Sequence, residues 1–113
     1  MRKQMIETAA LDVAEQIQTV EQTIDSALAE LAELQGRLMR ARAVAHVGVR
    51  TGQDALQHLA GALNALVTAR GGMGHCHAAL VDAKGTVPGL RTVSFGDTTD
   101  CPPEGRHELR VVA

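Results

Sequence analysis

Residues 6–45 read IETAALDVAEQIQTVEQTIDSALAELAELQGRLMRARAVA, and the spacing of their apolar positions decides the fold. Ile6, Ala10, Val13, Ile17, Val20, Ile24, Ala27, Leu31, Leu34, Leu38, Ala41 and Ala45 follow one another at alternating steps of four and three residues. A sustained heptad row of this kind predicts one long helix with a narrow apolar stripe to bury against other helices. With Ala10 at position a, the a residues are Ala10, Ile17, Ile24, Leu31, Leu38 and Ala45. The d residues are Ile6, Val13, Val20, Ala27, Leu34 and Ala41. The first helix is expected over about residues 3–48.

A second periodic stretch follows at Leu56, Leu59, Leu63, Leu66, Arg70, Met73, His77 and Leu80. Between the two tracts, Gly48-Val49-Arg50-Thr51-Gly52 reads as a turn, with Thr51 and Asp54 spaced as a helix-capping pair. Gly71-Gly72 and Gly74 interrupt the second tract chemically, but the apolar phase is unchanged on either side. The stretch reads as one helix over about 52–84, and two helices broken at Gly71 is the competing reading.

A turn centred near residue 50 sets Leu56 against Ala45, Leu59 against Ala41, Leu63 against Leu38, Met73 against Ala27 and His77 near Ile24. Large residues thus oppose small ones at several levels, as interdigitated packing requires. The predicted fold is all-α: a long antiparallel helical hairpin over residues 1–84, coiled-coil-like, followed by an irregular tail over 85–113. The tail holds all three prolines and the one phenylalanine. Leu90 to Phe95 and Glu108 to Val112 are β-prone pieces that would need to dock on the bundle or on a partner protein, since an isolated two-strand element is marginal in water.

The composition suits thin helix–helix seams. The 113 residues are 45% apolar but contain no Trp or Tyr, so Ala, Val, Leu and Ile must supply the buried area. A small chain with a thin core commonly gains stability by oligomerising. The second helix adds to that expectation, because Ala55, Ala60, Ala62, Val67, Ala69, Gly74, Cys76, Val81 and Ala83 flank its seam with small apolar residues. A homo-oligomer, with a dimer favoured, is expected to bury Ile6, Val13, Ile17, Val20, Ile24, Leu31, Leu34 and Leu38 with Leu56, Leu59, Leu63, Leu66, Met73 and Leu80. On that view Leu63→Asp would abolish assembly.

Charge narrows the partners. The net charge of −2 and the lack of a basic stripe argue against nucleic acid, and no apolar run reaches the length of a membrane span. The expected setting is cytoplasmic, with Cys76 and Cys101 as reduced thiols. Within the first helix, Glu7, Asp12, Glu15, Glu21, Asp25, Glu30 and Glu33 precede any basic residue beyond Lys3. Arg37, Arg40, Arg42 and Arg50 follow them, the order a helix dipole favours.

His75-Cys76-His77 is the one local cluster with metal-ligand chemistry, since imidazole and thiolate are standard ligands for zinc or copper. Successive helical residues diverge by about 100°, so a site would also need Cys101 or His107 from the tail, or a second chain. Without metal the same residues read as a core-facing His77, a lateral Cys76 and an exposed His75. The Gly71-Gly72-Met73-Gly74 run lacks the Lys-Ser/Thr and preceding strand of a phosphate loop. No catalytic constellation and no cofactor motif is present in the sequence. In shape the chain resembles the secreted WxG hairpins, but it has no Trp and lacks their Trp-x-Gly turn, so no function carries over.

The sequence therefore points to a non-enzymatic structural or interaction protein, acting as a scaffold, adaptor or assembly subunit. A metal- or redox-responsive module built on His75, Cys76, His77 and Cys101 is the alternative.

Overall fold

The computed structural model describes residues 2–90, and they form an all-α hairpin of two helices with no strand among them. Helix α1 spans Arg2–Ala45 and helix α2 spans Gln53–Lys84. The helix α2 continues through Gly71, Gly72 and Gly74 without a break. The β-prone pieces of the tail, together with Cys101 and His107, lie outside the described residues apart from Leu90.

Helix α1 stops three residues before its expected end. His46 adopts a left-handed φ of 55°, and its N–H turns back to the Ala43 carbonyl at 3.3 Å. A left-handed residue just past the last helical one is the common way to close a helix, although glycine is its usual occupant. The turn therefore centres on Val49 rather than on residue 50. Helix α2 starts at Gln53, after Gly52 at a φ of 81°, and the Gly52 carbonyl accepts from the Leu56 N–H at 3.0 Å. Among the described residues no hydrogen bond joins Thr51 to Asp54, so the expected capping pair is replaced by a glycine entry. Asp54 remains in the first turn, where a carboxylate favours the helix dipole.

The chain divides into two compact units, one of residues 18–74 and the other of residues 1–17 with 75–113. In the 18–74 unit, α2 buries the row read from its sequence: Leu56, Leu59, Leu63, Leu66 and Met73 are half-buried, while Arg70 is exposed. On α1 the covered stripe differs from the heptad expectation. Val20, Ile24, Ala27, Leu28, Leu31, Leu38 and Arg42 are half-buried, with Gln18, Glu21 and Gly36, so positions a and e are covered together with the d residues Val20 and Ala27. Leu34 is 51% exposed, and Ala41 is exposed as well. A straight helix of 3.6 residues per turn drifts about 20° per heptad against a 3.5-residue row, which moves the later d residues, Leu34 and Ala41, off the contact face.

The other unit repeats that preference. Ala10, Ala14 and Ile17 are buried, whereas Val13 is 43% exposed. Ala10 and Ala14 form a small core with Leu90, against which Ile6, Leu80, Val81 and Val87 pack. Residues 85–90 thus fold back onto the helices. Gly89 has a φ of 91°, a left-handed backbone that calls for glycine, and a side-chain carbon there would also press on the flexible Lys3 side chain at 3.3 Å.

Candidate interaction surface

Arginine 42 does what the sequence did not announce. Counted above as one of a basic run, it donates from Nε to the Thr51 carbonyl at 2.9 Å and from its terminal nitrogen to the carbonyls of Gly48 at 2.7 Å and Val49 at 3.0 Å. A guanidinium offers several N–H donors in a fixed fork, which suits a cluster of carbonyls at the end of a helix. Arg42 is thereby committed to the turn and leaves the set of cations open to a partner. Arg37 and Arg40 share one carboxylate: Arg37 Nε lies 2.9 Å and Arg40 3.5 Å from Glu33 Oε2.

Across the hairpin of the 18–74 unit, Arg70 Nε donates to Asp25 Oδ1 at 2.6 Å. That hydrogen bond, then the charges of Asp25 and Glu21, hold the Arg70 guanidinium above its ordinary pKa. The pair is exposed on both sides, so its role is to set register more than to add stability. Glu30, by contrast, has no ion-pair partner among the described residues.

Taken together, these placements leave a second row on α1. Thr23, Ala27, Glu30, Leu34, Arg37, Ala41 and Val44 recur at the same four- and three-residue steps, at positions g and d. Ala27 is half-buried between the two rows, and the others are exposed, Val44 at 80%. It is a strip of four apolar residues with Thr23, one unpaired acid and one mostly exposed base. Chemically it can bind another helix; it has neither cavity nor nucleophile.

Among the described residues the metal-ligand cluster of the sequence is divided by burial. His77 is fully buried, while His75 and Cys76 are exposed. No buried side-chain nitrogen or oxygen among the described residues lacks a hydrogen-bond partner, so His77 is a satisfied core residue. Among the described residues no three His, Cys, Asp or Glu side chains are grouped to hold a metal ion. No helix there is long and apolar enough to cross a membrane.

The comparisons add no relative. The sequence matches no protein-family model, no curated protein and no solved structure.

One further concavity lies in the unit of residues 1–17 and 75–113. Ile6, Val87, Pro88 and Gly89 line an open groove of about 550 Å³, with Arg2 and Lys3 at its rim. It is wide to solvent and holds no convergent polar groups of the kind that orient a small ligand.

Proposed function

We propose that the protein is a non-enzymatic assembly subunit that works by helix–helix association, most simply with copies of itself. The observation behind this reading is the pair of rows on α1. Within residues 18–74 one row is covered by the hairpin, and the other keeps Leu34 and Val44 exposed at 51% and 80%. A helix that is apolar on two sides has a second partner to find. The thin core points the same way, since the buried hydrophobic residues described are Ala10, Ala14, Ile17 and Leu90. Burying further apolar area between chains is the ordinary remedy for so small a core.

Sedimentation equilibrium on the full chain tests the reading. Association to at least twice the chain mass is expected, with the larger species gaining as concentration rises. A species of monomer mass throughout the accessible range would remove self-association and this reading with it.

A further inference from the structure

We propose that two copies pair antiparallel through the outer row of α1, with Leu34 against Leu34 at the two-fold axis and Glu30 of each copy against Arg37 of the other. The proposal rests on the assembly reading above and specifies its face, register and occupant.

The row is self-complementary in reverse order. Read outward from Leu34, Arg37 stands opposite Glu30, Ala41 opposite Ala27 and Val44 opposite Thr23. An antiparallel copy therefore brings an acid to a base twice over. It also sets alanine against alanine on either side of a central leucine pair, which lets the helices approach closely. A two-fold interface demands this kind of self-complementary patch. Together the row spans roughly 30 Å of helix at about 1.5 Å per residue.

Charge selects this register from its neighbours. Sliding one copy a heptad along the other, which moves the axis half a heptad toward the N-terminus, sets Glu30 beside Glu30, and the opposite slide sets Arg37 beside Arg37. A parallel pairing sets each charge against its own kind. Like charges facing across an interface disfavour it and fix register by exclusion. Both partners face solvent: Glu30 has no ion pair among the described residues, and Arg37 is 73% exposed in its side chain. Arg37 gives Nε to Glu33, which leaves its terminal nitrogens for a second carboxylate.

The test is a cysteine scan on the full chain with Cys76→Ser and Cys101→Ser, so that no native thiol competes. Under mild oxidation Leu34→Cys is expected to form a covalent dimer, because equivalent residues at a two-fold axis come within disulfide reach. Met39→Cys, exposed on another side of α1, is expected to stay monomeric on the same gel. In parallel, Glu30→Arg or Arg37→Glu alone should weaken dimerisation about tenfold, the equivalent of about 1.4 kcal/mol, and the two together should restore it. A dimer that links through Met39→Cys but not Leu34→Cys, or that the double reversal fails to rescue, overturns this face and leaves the assembly reading standing. A chain that is monomeric before any substitution overturns both.

Discussion

Two side chains decide whether the ends of this hairpin hold. Arg42 is the tie at the turn: it gathers the carbonyls of Gly48, Val49 and Thr51, and the Gly52 backbone lies against its side chain. Hydrogen bonds from a charged donor are worth about 1.5–3 kcal/mol when buried, and solvent near the turn reduces that. Arg42→Ala is therefore expected to cost about 1 kcal/mol, visible as a lower urea midpoint with an unchanged slope. Arg42→Lys should recover only part, since an ammonium cannot fork across several carbonyls. Leu90 does the corresponding work in the other unit, packed at 8% exposure against Ala10 and Ala14. Leu90→Ala should cost about 2 kcal/mol, the low end for a buried leucine, because a two-helix core can partly collapse around the gap. A variant as stable as the parent would show that residues 85–90 are not part of the core. Neither residue was legible in advance. Arg42 sat in a run of arginines that read as helix-dipole partners, and Leu90 sat in a segment punctuated by Pro88 and Gly89.

At the scale of the elements, α2 was open to reading and α1 only half so. The contrast between leucines and small residues on α2 marks its buried row without ambiguity, and Leu56, Leu59, Leu63 and Leu66 follow it. On α1 the same arithmetic found the covered a residues from Ala10 to Leu38 and the d residues Ile6, Val20 and Ala27, but not that Val13, Leu34 and Ala41 face solvent. Apolar d residues such as Leu34 gave way to e residues that include Glu21 and Arg42, whose hydrocarbon stems cover seam while their charges reach solvent or carbonyls. Spacing counts apolar residues and so passes over a buried stem. The glycines of α2 raise a separate point. A side-chain carbon built at Gly61, Gly71, Gly72 or Gly74 meets nothing within 4 Å, and none of these residues needs a left-handed backbone. Each glycine costs a helix roughly 1 kcal/mol against alanine with no return from the chain's own packing. Gly71→Ala and Gly72→Ala should each raise the thermal midpoint by several degrees, about what roughly 1 kcal/mol gives a domain of this size. A lowered midpoint would mean that the helix is locally frayed there and gains from the flexibility.

For the whole molecule, the proposed dimer assigns folding to one row of α1 and assembly to the other, and matched substitutions test that division. Leu63, set against Leu38 by the hairpin register and expected also to seal an oligomer, is half-buried in the unit of residues 18–74. An aspartate there sets an unpaired charge in the intramolecular seam, so Leu63→Asp should lose helicity at temperatures where the parent is folded. Leu34 faces solvent at 51% exposure, so Leu34→Asp should leave helicity and midpoint of the dilute protein nearly unchanged while abolishing the dimer. Salt gives an independent reading of the same surface. Exposed pairs such as Glu30 with Arg37 are screened once the Debye length falls from about 10 Å at 0.1 M to about 3 Å at 1 M, whereas the leucine and alanine contacts are not. The dimer should thus weaken severalfold over that range without dissociating completely. Complete dissociation would mean that charge alone holds the copies together, and no change at all would remove the reason for choosing the register centred on Leu34. Unfolding of Leu34→Asp in parallel with Leu63→Asp would show that the outer row already belongs to the fold, leaving no free face on α1 for a second copy to take.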